Sequence, residues 1–327
     1  MKSGRTGMTL QAWARCAAFL LIFGIAHGEG AAPSRLHRID PGSSRGLQEI
    51  LGAGSGPLPF VSAHRGGAWR DYPENCIATF ERTLGSTYAI LEIDPRYTRD
   101  GAIVVHHDPG LERTTTGKGR LVDATLREVR ELWLKDPEGK VTGHRVPTLD
   151  EVIEWARGKT ILILDQKDVS ALDRAKVVTR HRAEGHVMLI VGNFRDVVAV
   201  HRFNPDLMME VFIGTRAKAE EFDSLGVPWR NVIAFVGHEP PTDPAIYDYI
   251  RRHGARCIVG TSRNLDRQVL GREGGDIGSL EPAYRALLGR GADLIETDIP
   301  VLLGPLLHRE VVIRPALRQY FHPPGSG

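Results

Sequence analysis

The feature that most constrains the fold is an alternation, sustained from residue 60 to about residue 300, of short branched apolar runs with longer stretches of helical period. Continuous apolar runs are typical of strands buried on both faces, as in a parallel sheet covered by helices. The candidate strands span residues 60–63, 89–93, 102–105, 160–164, 187–191, 209–213, 232–236, 257–259 and 293–295. The candidate helices span residues 74–84, 148–156, 169–184, 243–253 and 280–290. This order predicts an α/β fold, a (β/α)8 TIM barrel.

The nine candidate strands exceed the eight of such a barrel by one. Asp100 and Gly101 form a two-residue hairpin signal between the second and third runs, so we expect these runs to pair antiparallel, with one arm outside the barrel. An open doubly wound sheet is the alternative. Its glycine-rich dinucleotide turn is missing after the first run, where residues 64–67 read His-Arg-Gly-Gly.

The remaining segments define the domain organisation. Residues 1–28 are typical of a signal peptide, because basic residues precede a short apolar run that ends in small residues suited to cleavage by signal peptidase. We therefore expect a secreted or periplasmic protein. A buried helix of the domain is the alternative interpretation of this segment. We predict a linker or N-terminal arm at 29–58, the barrel at 59–310 with a small cap insertion at about 110–145, and a C-terminal tail at 311–327. No later run is long enough for a transmembrane segment.

Composition narrows the partners and the redox chemistry. The 42 basic residues nearly balance the 40 acidic ones, which argues against a nucleic-acid partner. Beyond the predicted signal peptide the cysteines are Cys76 and Cys257, which we expect to be buried thiols, with one disulfide as the alternative. The oligomeric state is left open.

Polar residues cluster at the ends of the first four apolar runs, where a barrel builds its active site. They are His64 and Arg65, Glu92 and Asp94, His107, and Asp165 and Lys167. Glu92 and Asp94 are two residues apart, so both point to one face of a strand, and Asp165 can complete a set of oxygen ligands for a hard divalent ion.

The histidines and the cations suggest proton transfer at an anionic group. His64 and His107 follow different runs, so one could accept a proton while the other donates one. Arg65 and Lys167 could hold an anionic phosphate between them.

Several short motifs follow one another in a familiar order. They are His-Arg-Gly at 64–66, Pro-Glu-Asn at 73–75, Glu-Ile-Asp at 92–94, Thr-Arg-Asp-Gly at 98–101, Val-Val-His-His-Asp at 104–108, Arg-Thr-Thr at 113–115, Val-Pro-Thr-Leu at 146–149 and Thr-Asp-Ile-Pro at 297–300. In order and spacing they resemble the glycerophosphodiester phosphodiesterase family over residues 60–300. We also interpret 73–75 as a helix start capped by Asn75, and its closeness to His64 and Arg65 leaves a role in the pocket open.

The resemblance implies a PLC-like phosphodiesterase barrel that hydrolyses a small-molecule phosphodiester with one divalent cation, Ca²⁺ or Mg²⁺. The family roles would fall on His64 and His107 as catalytic residues, on Arg65 and Lys167 as phosphate-binding residues, and on Glu92, Asp94 and Asp165 as metal ligands. The implied reaction is hydrolysis of glycerophosphodiesters, in lipid and glycerol metabolism, to an alcohol and glycerol 3-phosphate.

Three positions depart from the family pattern. Asp165 stands where the family usually has Glu and is similar to the aspartate of sphingomyelinase D-like phospholipases; Asn193 replaces a serine, and residues 259–262 replace a tryptophan-containing strand. A phospholipase D-like enzyme acting on intact or lyso-phospholipids is therefore an alternative. A non-catalytic phosphate-ligand binding protein is the second alternative.

Overall fold

The computed structural model describes residues 35–52, 57–271, 276–309 and 312–326, so the predicted signal peptide lies outside the described residues. The described strands are β1 Arg38–Ile39, β2 Val61–Ala63, β3 Ala89–Ile93, β4 Pro95–Tyr97, β5 Ile103–Val105, β6 Trp133–Lys135, β7 Val141–Arg145, β8 Leu162–Leu164, β9 Val187–Val191, β10 Met208–Phe212, β11 Val232–Gly237, β12 Arg256–Gly260, β13 Leu294–Thr297 and β14 Phe321–His322. The described helices are α1 Ser44–Leu51, α2 Ile77–Ser86, α3 Leu126–Arg130, α4 Leu149–Ala156, α5 Ala171–Arg180, α6 Phe194–Phe203, α7 Arg216–Asp223, α8 Ala245–His253, α9 Leu265–Leu270, α10 Glu281–Gly289 and α11 Pro300–His308.

Eight strands form a closed parallel barrel in the order β2, β3, β8, β9, β10, β11, β12, β13. The last strand pairs with the first, with Glu296 opposite Ser62, so the sheet has no open edge. Every residue of β3 and β9 is buried, as expected for strands between a packed interior and a layer of helices. The predicted (β/α)8 barrel is confirmed, and the open sheet is wrong.

The extra apolar run forms an arm on the rim of the barrel. The third run becomes β5 and pairs antiparallel with β4, and Gly101 in the turn has φ +77°, which suits glycine. The hairpin was predicted, but β5 pairs with the continuation of the second run, while β3 itself stays in the barrel. His107 therefore reaches the site from this arm and not from the end of a barrel strand.

The helix predicted from residue 74 begins later, and the predicted helix cap at Asn75 is wrong, whereas a role in the pocket had been left open. Asn75 has φ +57°, outside helical geometry, and α2 begins at Ile77. The Asn75 amide donates to Asp94 Oδ2 at 2.6 Å, and its carbonyl oxygen accepts from the Asp94 backbone N–H at 3.1 Å. Asn75 therefore fixes a carboxylate of the site instead of capping a helix.

Both ends of the described chain pack against the amino-terminal end of the barrel. Strand β1 pairs antiparallel with β14, and Leu47 and Ile50 of α1 are fully buried in the same cluster as the barrel residues Ile90 and Met188. The described part of residues 29–58 is thus a tightly docked arm and not a free linker. The segment 312–326 is docked in the same way, because Leu317 and Phe321 belong to this cluster.

The segment predicted as a cap has its own small core. Strands β6 and β7 form an antiparallel hairpin, and the core of the cap consists of Cys76, Val104, Leu111, Leu121, Val129, Leu134 and Val146. In the turn of the hairpin, Asp136 accepts from the Asp71 backbone N–H at 2.9 Å. This contact ties the cap to the loop that follows β2.

Two further expectations concern single features of the chain. Cys76 and Cys257 are buried free thiols in different clusters, as expected, so a disulfide between them is excluded. Among the described helices, none has the length and apolar character needed to cross a bilayer.

Candidate active site

A cavity of about 880 Å³ opens at the carboxyl ends of the barrel strands. Six of the predicted site residues line it: His64, Arg65, Glu92, His107, Asp165 and Lys167. Asp94, the seventh, is fully buried next to them. The two histidines thus share one cavity, as expected, and Pro137 and Glu138 of the cap hairpin contribute to its wall. The individual roles of these residues stay predictions.

A tight turn after β2 places Arg65 in the site. Arg65 has φ +53° and Gly66 has φ +80°, both in the left-handed region. A Cβ on Gly66 would lie 2.3 Å from the Phe80 ring, so only glycine fits there. The turn directs the Arg65 backbone N–H to Glu92 Oε2 at 2.8 Å, while its guanidinium lies in the cavity.

Three carboxylates converge as the sequence predicted. Oxygens of Glu92, Asp94 and Asp165 lie within 4.8 Å of one another. Glu92 Oε1 is buried without a hydrogen-bond partner, and burial together with the charge of Asp94 raises the pKa of Glu92 well above its ordinary value. A buried oxygen without a partner in an all-oxygen set is what a hard divalent cation would satisfy. These residues therefore fit a metal site.

Lys167 joins two of these carboxylates. Its ammonium group lies 3.0 Å from Asp94 Oδ1 and also forms an ion pair with Asp165. Burial alone would lower the pKa of Lys167, but the charges of Asp94 and Asp165 outweigh it and raise the pKa. Lys167 is thus held as a cation on the cavity wall, within reach of an anionic ligand.

His64 is held by a distant acid. Its Nδ1 lies 2.6 Å from Asp298 Oδ1, which follows β13. Burial opposes protonation, but the hydrogen bond to Asp298 and the charge of Glu92 prevail and raise the pKa of His64 to about 10. Asp298 is positioned in turn by the buried Asp266, whose Oδ2 accepts from the Asp298 backbone N–H at 2.7 Å.

His107 has a different hydrogen-bond environment. Its Nδ1 lies 2.6 Å from Asp108 Oδ1, and its Nε2 lies 2.8 Å from Arg65 Nη2. Because a guanidinium only donates, Nε2 accepts and Nδ1–H donates, so the ring is the neutral tautomer. Burial, aided by the nearby cations, lowers the pKa of His107. In the site, His107 is therefore held as a hydrogen-bond acceptor through Nε2, whereas His64 is surrounded by acidic side chains.

An ion-pair network supports the His107 loop from the cap. Arg113 donates to Asp108 Oδ2 at 2.6 Å and to Glu74 Oε1 at 2.7 Å. Glu74 also accepts from Arg65 Nη1 at 3.1 Å. Arg113 and the bond to His107 hold the pKa of Asp108 well below its usual range.

Sequence reasoning missed several polar residues of the site. Glu74, Asp108, Arg113 and Asp298 belong to motifs that carried the resemblance, but no role was assigned to them. Glu210 and Glu296 also line the cavity. The available signal was an acid interrupting an otherwise apolar run, as in the Met-Met-Glu-Val-Phe of β10.

Comparison with known proteins identifies the family. Residues 64–221 match the model of the Glycerophosphoryl diester phosphodiesterase family. A glycerophosphodiester phosphodiesterase of Caldanaerobacter subterraneus is 42% identical over 106 residues, which is 32% of this chain and 43% of that protein. This chain matches only about half the length of such curated relatives: 43% of the Caldanaerobacter protein and 56% of a glycerophosphodiester phosphodiesterase of Bacillus subtilis.

Solved structures extend the match to most of the chain. The crystal structure of a glycerophosphoryl diester phosphodiesterase from Parabacteroides distasonis is 35% identical, with a TM-score of 0.82, and the match covers 88% of this chain and 99% of that one. An Oleispira antarctica phosphodiesterase, solved with the product sn-glycerol-3-phosphate, shares the fold at 21% identity and a TM-score of 0.55, over 76% of this chain and 96% of that one. The chain belongs to the glycerophosphoryl diester phosphodiesterase family.

Proposed function

We propose that this protein hydrolyses glycerophosphodiesters to an alcohol and glycerol 3-phosphate with the help of one divalent cation, Ca²⁺ or Mg²⁺. The observation that carries the proposal is the convergence, on one cavity, of three carboxylates, two histidines each held by an aspartate, and two cations. The names of the relatives and the product bound to the Oleispira antarctica enzyme support the same substrate class.

The anionic substrate would bind between the carboxylates and the fixed cations. Glu92, Asp94 and Asp165 would hold the ion, which supplies positive charge for the phosphate oxygens when it is bound. Arg65 and Lys167 lie beside this cluster and would bind further phosphate oxygens. Binding at both groups would fix the orientation of the phosphodiester relative to the two histidines.

The two histidines would then move the protons. His107 has its Nε2 lone pair directed at Arg65, and it can take a proton from the attacking water molecule once Arg65 binds phosphate instead. His64 binds Asp298 through Nδ1, which leaves Nε2 to donate a proton to the departing alcohol oxygen. The P–O bond to the water oxygen forms while the P–O bond to the alcohol breaks; the water oxygen gives one proton to His107 and the alcohol oxygen takes one from His64.

The assay that tests this proposal measures glycerol 3-phosphate and free choline separately. The substrates are glycerophosphocholine, glycerophosphoethanolamine and lysophosphatidylcholine, each with Ca²⁺, with Mg²⁺ and with excess chelator. We expect glycerol 3-phosphate from both small diesters, and only when a metal ion is present. Binding of glycerol 3-phosphate without any turnover would instead identify a binding protein.

A phospholipase D-like activity is the second candidate. It is favoured by Asp165 and by two exposed apolar side chains on the cavity wall, Phe212 at 39% and Leu270 at 49% exposure. Such side chains could contact an acyl chain. In the same assay, this activity would release choline from lysophosphatidylcholine faster than from glycerophosphocholine.

The Asp165→Glu variant distinguishes glycerophosphodiester hydrolysis from the phospholipase D-like activity. The added methylene moves the carboxylate by about 1.5 Å, whereas metal–oxygen distances vary by only a few tenths of an ångström. If the site is built around the shorter side chain, which forms an ion pair with Lys167, we expect turnover of glycerophosphocholine to fall about tenfold. Equal or higher turnover in steady-state kinetics would show that Asp165 is a tolerated variant of a glycerophosphodiesterase site.

We further propose that the protein acts outside the cytoplasm, in the periplasm or after secretion. The proposal rests on the sequence of residues 1–28, which has the order of basic, apolar and small residues that signal peptides share.

A further inference from the structure

Two acidic side chains on the cavity wall have no role in the reaction described above. Glu210 lies in β10 and Glu296 in β13, and they are 1% and 5% exposed. Both strands direct alternate residues into the barrel, where Met208 and Leu294, two residues earlier, belong to the apolar interior cluster. The two acids therefore continue these inward rows to the floor of the cavity.

Glu210 lacks a partner in the described part of the protein. Its Oε2 is buried and makes no hydrogen bond there. The charged groups that act on it are Glu296 and Asp165, both acidic. Burial, followed by these two charges, raises the pKa of Glu210 well above its ordinary value. A buried polar atom of this kind costs free energy unless a ligand satisfies it.

The chemistry of Glu210 selects among possible ligands. The buried Oε2 of Glu210 lacks a hydrogen-bond donor, and an alcohol hydroxyl can supply one. A metal ion is less suited, because the carboxylates whose oxygens cluster within metal-binding distance are Glu92, Asp94 and Asp165, and Glu210 is not among them.

We propose that Glu210, with Glu296 beside it, binds the hydroxyl groups of the substrate's glycerol moiety on the floor of the cavity. The inference rests on the proposed function, and it explains how the site would prefer a glycerol ester to an ester without free hydroxyls. Arg65 and Lys167 hold the phosphate, and the three-carbon glycerol extends from it towards Glu210. A site built to bind a hydroxyl discriminates strongly against an analogue that lacks it.

The test compares two variants on two substrates. Glu210→Leu removes both hydrogen-bonding atoms, whereas Glu210→Gln keeps a neutral donor and acceptor in nearly the same shape. The substrates are glycerophosphocholine and propyl phosphocholine, which has the same three carbons but neither hydroxyl, and released choline is measured for both. We expect Glu210→Leu to lower kcat/KM about tenfold on glycerophosphocholine and less than about twofold on propyl phosphocholine. Glu210→Gln should stay within about threefold of the wild type on both.

Each contrary result has a distinct meaning. An equal loss on both substrates would overturn the inference, because it would indicate a structural role. A loss in Glu210→Gln as large as in Glu210→Leu would also overturn it and would indicate a cationic ligand. If the wild type hydrolyses neither diester, the proposed function fails; if it hydrolyses glycerophosphocholine alone, turnover cannot compare the two substrates. Calorimetric binding of glycerol 3-phosphate against propyl phosphate then makes the same comparison without turnover, and equal losses of affinity in Glu210→Leu would overturn the inference.

A control separates binding from packing. Met208→Leu changes the next inward side chain of β10 at nearly constant volume, and we expect it to leave the ratio of the two substrates unchanged. Glu210→Leu should also raise the Tm, because it removes a buried acid without a partner. A more stable variant with a substrate-selective loss is a combination that misfolding cannot produce.

Discussion

Replacing Glu92 with glutamine is expected to lower kcat/KM on glycerophosphocholine by about 1,000-fold and to weaken divalent-cation binding in parallel. The substitution keeps the side-chain shape, and the amide oxygen can still accept the hydrogen bond that Glu92 Oε2 receives from Arg65 N–H. It removes one negative charge from the three carboxylates that lie within 4.8 Å of one another. The loss would therefore report on charge and metal binding, not on a collapsed turn.

The fold should gain stability in the same variant. Glu92 is buried beside Asp94, and its ionised form is disfavoured in the metal-free protein. A neutral amide avoids this cost, so we expect the Tm of the metal-free variant to be higher than that of the metal-free wild type. Adding Ca²⁺ or Mg²⁺ should stabilise the wild type more than the variant, because only binding to the folded state raises the Tm.

Metal affinity is measured by titration calorimetry with Ca²⁺ and with Mg²⁺, the Tm by thermal melts, and kcat/KM by steady-state kinetics. Glu220→Gln on the exposed surface of α7 is the matched control, since it makes the same chemical change in an ion pair with Arg216, and neither residue lines the cavity. A Glu92→Gln protein with normal metal affinity and normal turnover would contradict the metal site. So would full turnover of the wild type in excess chelator.

The barrel could be predicted because its signal is local and repeated. Each barrel strand is a short apolar run, and three of the first four runs end in polar residues that the parallel barrel then brings to one end. The spacing of Glu92 and Asp94 likewise depends only on the two-residue period of a strand. Such features need no knowledge of which distant segments meet.

What could not be predicted depends on partners far away in the sequence. His64 is held by Asp298, 234 residues later, and no local pattern connects them. Asn75 looked like a helix cap, but its amide bonds Asp94, because the left-handed backbone at Asn75 turns it towards β3. Residues 29–58 were predicted to form a linker or an N-terminal arm, whereas Leu47 and Ile50 of α1 complete the packing beneath the barrel.

The different surroundings of the two histidines lead to the other prediction with a large effect. We expect His64→Ala and His107→Ala each to lower kcat on glycerophosphocholine by about 100- to 10,000-fold. Loss of rate alone cannot distinguish an acid from a base, because both variants lack one proton transfer. The leaving group can distinguish them, since a strongly acidic alcohol departs as its anion and needs no proton.

The decisive substrate is therefore the glycerol phosphodiester of 4-nitrophenol, whose alcohol is far more acidic than choline. If His64 protonates the leaving group through Nε2 while Asp298 holds Nδ1, His64→Ala should recover most of the lost rate on this ester. His107→Ala should stay slow on it, because the nucleophile still lacks its proton acceptor, the Nε2 that now faces Arg65. His144→Ala in the cap hairpin is the control and should not differ between the two esters. Recovery in His107→Ala instead would reverse the assignment, and recovery in neither would mean that departure of the alcohol does not limit the rate.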